Sequence, residues 1–134
     1  MSSKSISYLF YLAGIINILG TLIFSKFFTN NNLTEIDPLV MSKFGLIMIM
    51  LWGLAFISTA KNFHKNRFII AVFSLEKLVY IIAWCLWYFN KDYSMEIIFQ
   101  KDFITGMFYS LYGLNDLFFL LFFAYVFIKK TNKI

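Results

Sequence analysis

Five polar residues lie near the middle of long apolar stretches, where a membrane protein tolerates them least: Asn17, Glu76, Lys77, Asn115 and Asp116. A charged side chain at the bilayer centre costs about 2.5–3.5 kcal/mol on insertion scales, so such residues usually face a bundle interior and mark a site. Carboxylates at that depth are components of proton relays, and amides hydrogen-bond polar groups. The five residues therefore predict the place of a site, but they do not identify its ligand.

The composition is typical of a polytopic membrane protein rather than of a soluble domain. Of the 134 residues, 60% are hydrophobic and 22% are aromatic, and the mean hydropathy is +0.73. A helix of about 20 residues crosses roughly 30 Å of hydrocarbon. We therefore predict an all-α membrane protein, a single integral membrane domain over 1–134 with four transmembrane helices in an antiparallel up-down bundle. The predicted spans are about 7–28, 43–60, 68–89 and 104–128.

The distribution of charge outside these spans predicts their orientation. One set of connecting and terminal segments carries only positive charge: Lys4, Lys61, Lys65, Arg67, Lys129, Lys130 and Lys133. The other set is mixed: Lys26, Lys43, Lys91 and Lys101 with Glu35, Asp37, Asp92, Glu96 and Asp102. Because cytoplasmic loops retain Lys and Arg, both termini are predicted to be cytoplasmic.

Two connecting segments differ in what they predict. Residues 29–38 are polar, and Pro38 biases Asp37 away from helix, which indicates a loop with at most a short interfacial turn. Residues 90–103 contain apolar side chains beside their charges. We predict a simple ordered loop there, with an amphipathic segment at the headgroup level as the alternative.

The third span carries the adjacent pair Glu76 and Lys77. Neighbours on a helix point about 100° apart, so the two side chains are not expected to face the same partner. Asp116 is the predicted counter-ion of Lys77, because pairing offsets much of the cost of burying both charges. This arrangement leaves Glu76 without a cation, and an unpaired carboxylate in hydrocarbon favours its protonated form. Glu76 is therefore the candidate functional acid.

Small and polar residues recur at helical spacing on two other spans. On the fourth span they form one stripe, bordered by Tyr112 and Asn115: Gly106, Tyr109, Gly113 and Asp116. On the first span they form a face of the kind that lets helix backbones approach closely: Gly14, Asn17 and Gly20. The same pattern has a purely structural interpretation, in which Asn17 only joins helices.

These patterns predict a small midplane cavity that binds an apolar or amphipathic molecule such as a lipid, an isoprenoid or a quinone. Glu76 is the protonatable group, and the pair of Lys77 and Asp116 holds its orientation. The remaining predicted site residues are two amides that bind the polar end of the ligand and three aromatic residues that line the cavity: Asn17, Asn115, Tyr80, Trp84 and Tyr112.

Other functions stay open at this point. An oligomer of the chain could carry out proton-linked transport of a small molecule, or the chain could be an accessory or scaffold subunit of a membrane complex. The charges would then serve assembly, as buried ion pairs do when they fix helix register. An enzyme that uses Glu76 as acid or base is a further alternative. Membrane lipids are predicted partners, and a second copy of the chain or another membrane subunit is a further one.

Several kinds of chemistry are disfavoured by the sequence. Cys85 is the sole cysteine and His64 the sole histidine, so neither a metal site nor a histidine-based triad is predicted. A glycine-rich phosphate loop is also missing. The basic segment 61–67 is explained by membrane topology, so we predict no cofactor and no nucleic-acid partner.

Three segments resemble small four-helix bacterial inner-membrane proteins: Phe44–Ala55, Phe73–Tyr80 and Tyr112–Asp116. Among named families, the chain resembles the DoxX-like superfamily, whose four-helix architecture is similar. The sterol-isomerase-like four-helix fold is similar in architecture too, but its acidic pair lies on different helices from those of Glu76 and Asp116. The resemblance implies a four-helix fold and a location in a bacterial inner membrane, and no particular reaction.

Overall fold

The computed structural model describes residues 1–131, so the predicted topological role of Lys133 lies outside the described residues. Over that range all regular secondary structure is helical. The helices are α1 (Ser3–Ile15), a π-helical turn (Ile16–Gly20), α2 (Thr21–Phe24), α3 (Asn31–Ile36), α4 (Lys43–Thr59), α5 (Arg67–Asn90), α6 (Met95–Lys101) and α7 (Phe103–Thr131).

Three helices are long and apolar enough to cross a membrane, which indicates an integral membrane protein. They comprise 22, 24 and 27 residues: Ser3–Phe24, Arg67–Asn90 and Phe103–Lys129. The first of them is the continuous run of α1, the π-helical turn and α2, called here the first helix. The apolar α4 has only 17 residues and is shorter than these three.

The first helix begins and ends earlier than the predicted span of 7–28. It begins because the Ser2 side chain accepts a hydrogen bond from the backbone N–H of Ser5, which caps α1. It ends at Phe24 because three consecutive residues have positive φ, which a right-handed helix excludes: Lys26 (50°), Phe27 (55°) and Phe28 (66°). The Ser25 hydroxyl accepts the backbone N–H of Phe28 at 3.0 Å and so stabilises this turn.

The segment between α2 and α4 and the segment between α5 and α7 each contain a short helix. Residues 31–36 form α3, so the polar loop includes the helical turn that the sequence allowed. Residues 95–101 form α6, which buries Ile98 and exposes Ile97. The prediction of a simple loop was therefore wrong over Met95–Lys101, where the segment is helical. Its place at the headgroup level stays a prediction.

The first helix packs mainly on α4, and α5 packs mainly on α7. The approach of α1 to α4 is close because glycines face each other: a Cβ atom on Gly14 would lie 2.5 Å from the Gly53 carbonyl oxygen. The packing of α5 on α7 uses a different glycine, since the Trp84 indole lies directly against Gly113.

Two apolar cores lie at the two ends of the helices. The Phe core joins the first helix, α4, α5 and α7, and its rings include Phe10, Phe56, Phe73 and Phe123. The Tyr core at the other end contains Phe108, Tyr109 and Tyr112 with aliphatic side chains from the connecting segments. The Tyr109 hydroxyl donates to the Leu33 carbonyl oxygen at 2.6 Å, which fixes α3 against α7.

A polar cluster joins the end of the first helix to the start of α7. The Asp102 carboxylate accepts from Lys26 Nζ at 3.1 Å and from the backbone N–H of Thr105 at 3.3 Å. The Asn30 amide donates to Thr105 Oγ1 at 2.8 Å. Asp102 therefore caps α7 and holds the left-handed turn in place.

We expect Gly14→Ala to lower the free energy of unfolding by about 1–3 kcal/mol, because the added methyl group meets a backbone oxygen that cannot rotate away. The matched control is Gly20→Ala, where a Cβ atom meets nothing within 4 Å. Alanine there should raise stability by up to about 1 kcal/mol, since it restricts the unfolded chain. Thermal unfolding in mild detergent, followed by circular dichroism, measures both. Equal effects of the two substitutions would contradict the close approach of α1 and α4.

The stabilising effect of Asp102 is expected to depend on pH. Burial acts to raise the pKa of Asp102, but hydrogen bonds from Thr105 and the Lys26 ammonium outweigh it, so the pKa lies below its ordinary value of 3.8. A carboxyl whose pKa is lower in the folded state stabilises the fold above that ordinary value, and the effect is lost as pH falls through the folded pKa.

We expect Asp102→Asn to cost about 1–2 kcal/mol at neutral pH and the difference from wild type to shrink as pH falls below 3.8. Denaturant unfolding at a series of pH values measures it, with substitution of the exposed Asp92 by Asn as control. A difference that stays constant down to the lowest pH would contradict the ionic role of Asp102.

Candidate functional site

The Lys77 ammonium lies at the centre of the site, with its side chain 2% exposed. Its Nζ lies 2.8 Å from Asp116 Oδ1, 3.4 Å from Asn17 Oδ1 and 3.7 Å from Glu76 Oε2. The predicted pairing of Lys77 with Asp116 is therefore confirmed. Asp116 and Asn17 accept hydrogen bonds from the ammonium, and Glu76 is a second carboxylate within ion-pair distance.

The position of Glu76 differs from its prediction. Adjacent helical residues were expected to diverge, yet Glu76 and Lys77 are both buried, and the Lys77 ammonium neighbours both carboxylates. The 100° separation applies to the Cα–Cβ bonds, whereas the long flexible stem of lysine carries its charge back toward Glu76. The expectation that Glu76 has no cation nearby was wrong. The separation of 3.7 Å is nevertheless too long for a good hydrogen bond.

Asn17 lies in the π-helical turn and connects three helices. Its amide Nδ2 donates to the Ile49 carbonyl oxygen of α4 at 3.1 Å, and its Oδ1 accepts from Lys77 of α5. A π-helical turn widens the helix locally, and such turns occur often at functional sites. The structural interpretation of Asn17 as a residue that joins helices is therefore supported, and its contact with Lys77 also makes it part of the site.

A cavity of about 530 Å³ lies beside this cluster. Its size is within the range of small-molecule sites, and most of its lining is apolar or aromatic. Seven of the eight predicted site residues line it: Asn17, Glu76, Lys77, Tyr80, Tyr112, Asn115 and Asp116. The Asn115 amide donates to Asp116 Oδ1 at 3.4 Å, so this amide also belongs to the charged cluster.

Trp84, the eighth predicted residue, does not line the cavity. Its indole Nε1 donates to the Tyr109 carbonyl oxygen at 2.7 Å, and its rings pack on Gly113. The missing side chain at Gly113 leaves the space that the indole fills. Trp84 therefore positions α5 against α7 and was wrongly assigned to the lining.

Further residues line the cavity beside the predicted ones. Gly20 was predicted to share a small and polar face with Asn17, but not to line a cavity. Thr21 and Phe24 also follow Asn17 at helical intervals, so the spacing contained a signal for both. Phe108 and Phe119 looked like ordinary apolar residues of α7. Met41 lies in the segment before α4, and only tertiary packing brings it to the cavity.

The cavity opens to the side, between the first helix and α7. Its rim consists of apolar side chains that are 44–56% exposed: Leu12, Leu111, Leu114 and Phe118. These rim residues belong to two of the helices that are long and apolar enough to cross a membrane. The opening is therefore suited to molecules dissolved in the bilayer.

Comparisons with family models, with curated proteins and with solved structures find no match to this chain. The resemblance to the DoxX-like superfamily thus stays a prediction. Function is accordingly argued from the geometry of the site.

We expect Lys77→Met to lower stability by about 3–5 kcal/mol, because it leaves two buried carboxylates without a cation. Adding Glu76→Gln and Asp116→Asn to the same chain should recover most of that loss in stability, since the cluster then contains no carboxylate that needs a cation. The control is Lys43→Met at an exposed lysine. Thermal unfolding in mild detergent decides: a single Lys77→Met protein as stable as the control would show that the cluster is not held by its ammonium.

Proposed function

We propose that this protein binds an apolar or amphipathic small molecule, such as a lipid, an isoprenoid or a quinone, in the cavity between the first helix and α7. The supporting observation is the position of the charged cluster on the lining of a largely apolar cavity that opens to the side. The polar end of the molecule lies against Glu76 and Asn115, and its apolar part extends to the rim.

The proposed setting is a four-span antiparallel bundle in a bacterial inner membrane, with both termini cytoplasmic. Contacts at the two ends support alternating directions: Lys129 Nζ donates to the Met1 carbonyl oxygen at 2.7 Å, and Lys26 pairs with Asp102. At about 1.5 Å per residue, α4 is shorter than the hydrocarbon is thick, a mismatch that local thinning of the bilayer accommodates.

The cluster contains more polar and charged groups than are needed to fix the register of the helices. The pair of Lys77 and Asp116 would suffice to align α5 with α7. Four side-chain polar atoms are buried without a hydrogen-bond partner among the described residues, Arg67 Nε, Glu76 Oε2, Trp87 Nε1 and the Tyr112 hydroxyl. Two of them, Glu76 Oε2 and the Tyr112 hydroxyl, belong to residues that line the cavity. A buried polar group without a partner costs about 1–3 kcal/mol. Two such atoms on one cavity support a role in binding.

Small molecules retained by the protein in mild detergent, measured by mass spectrometry, test this proposal. We expect wild type to retain a specific molecule that Gly20→Leu loses, because position 20 lines the cavity and has free space for a larger side chain. Glu76→Gln should lose it too, since the polar end then meets no carboxylate.

Two controls accompany these variants. Gly20→Ala makes the same backbone change without filling the cavity, and Glu96→Gln makes the same chemical change at an exposed residue of α6. Both should retain the molecule. If wild type and all variants carry the same bulk phospholipids, the binding proposal is wrong, and a scaffold role gives the better account.

A further inference from the structure

We propose that the ligand is a cationic amphiphile whose protonated amine binds Glu76 and whose hydrocarbon chain leaves between the first helix and α7. This inference rests on the proposed binding function and specifies the chemistry of the ligand. It is derived from the charges, the unused hydrogen-bonding groups and the aromatic rings of the cavity.

The charges that line the cavity do not cancel. Among the described residues, the lining contains two carboxylates, Glu76 and Asp116, and one cation, Lys77. With both carboxylates ionised, the formal sum is one negative charge. An uncompensated charge in a medium of low dielectric constant is costly, and a ligand with one positive charge brings the sum to zero.

The single cation is surrounded by acceptor groups of the protein. Its Nζ donates to Asp116 Oδ1 at 2.8 Å and to Asn17 Oδ1 at 3.4 Å, and Glu76 Oε2 lies 3.7 Å away. A carboxylate or phosphate head group that approached Lys77 would face the two negative side chains of Glu76 and Asp116. The arrangement around Lys77 therefore disfavours anionic amphiphiles.

The groups that remain available accept hydrogen bonds. Glu76 Oε2 is buried without a hydrogen-bond partner in the described part of the chain, and carboxylate oxygens only accept. The Tyr112 hydroxyl is buried and unpaired in the same range, and it can donate or accept. Glu76 therefore requires a head group that donates. A quinone carbonyl could accept from Tyr112 but brings no donor to Glu76, and an alcohol donates but leaves the negative charge in place.

Aromatic rings complete the site for a cation. Phe24 and Phe108 lie 5.5 Å apart between ring centroids, and Phe108 stacks on Tyr112 at 5.1 Å. All three residues line the cavity, together with Tyr80 and Phe119. Ring faces attract ammonium groups, most strongly where water is excluded. The apolar rim between the two helices accommodates the hydrocarbon chain.

Photo-crosslinking in nanodiscs of zwitterionic phosphatidylcholine tests the assignment. Three probes share one alkyl chain and one diazirine near the head group, and they differ only in the head: a primary amine, an alcohol or a carboxylic acid. Labelling of cavity residues is measured by mass spectrometry relative to labelling of exposed residues on α7, which corrects for partition into the bilayer. We expect the amine to label the cavity about tenfold more than the acid, which corresponds to about 1.4 kcal/mol, and also more than the alcohol.

Variants connect this preference to Glu76. Glu76→Gln should abolish the preference for the amine, while Glu96→Gln on exposed α6 should preserve it. Competition in wild type gives a test that does not depend on how a variant folds: excess unlabelled amine should suppress labelling of the cavity by the amine probe, and the same excess of acid should not.

The outcomes separate the two proposals. Equal labelling by amine and alcohol, or preferred labelling by the acid, overturns the cationic assignment and leaves the binding cavity in place. A preference for amine that persists in Glu76→Gln overturns the assignment to Glu76. Labelling of the cavity that never exceeds that of the exposed face of α7, with any probe, overturns the binding function itself.

Discussion

The ammonium of Lys77 is the interaction on which the arrangement of the long helices depends. It contacts Asp116 on α7 and Asn17 on the first helix from its own position on α5, and Asn17 in turn donates to the backbone of α4. One cation thus links, directly or through one amide, all four apolar helices. Its Nζ also lies 5.2 Å from the centroid of the Phe56 ring, so it borders the Phe core. Each helix must therefore adopt one rotation about its axis for the charges to be satisfied.

Glycine placement determines where this arrangement leaves space. Gly14 and Gly53 bring α1 and α4 into backbone contact, and Gly113 admits the Trp84 indole between α5 and α7. The space beside each of these glycines is occupied by a neighbouring residue, whereas a Cβ atom on Gly20 would meet no atom within 4 Å. Gly20 lines the cavity together with other residues of the first helix and of α7. The missing side chain at position 20 therefore leaves part of the space that the cavity occupies.

The polar atoms of the cavity connect its stability to its function. Burying charged side chains costs free energy. Replacement of a buried ion pair by apolar residues of similar volume is often neutral or stabilising. Glu76 Oε2 and the Tyr112 hydroxyl lack a hydrogen-bond partner over residues 1–131. A ligand that satisfies both would stabilise the protein on binding, because it interacts with the folded state alone. Binding and folding are then linked through the same side chains.

The sequence by itself determined the all-helical class, the apolar stretches and seven of the residues that line the cavity. Length, hydropathy and helical spacing are properties of the local sequence. Charges within apolar stretches can likewise be recognised without knowing how the helices pack. The pairing of Lys77 with Asp116 also followed, because few counter-ions exist in hydrocarbon. The end of the first helix at Phe24 could not be predicted from the sequence, since three residues in the left-handed conformation, none of them glycine, leave no compositional signal.

Only the tertiary structure decided that one ammonium neighbours both carboxylates, that Trp84 packs on Gly113 and that the cavity opens between the first helix and α7. Each of these depends on the reach of a flexible side chain or on which helix surfaces meet. Spacing along one helix gives the direction of a Cβ atom, but the distance between groups on different helices is set by how closely the backbones pack.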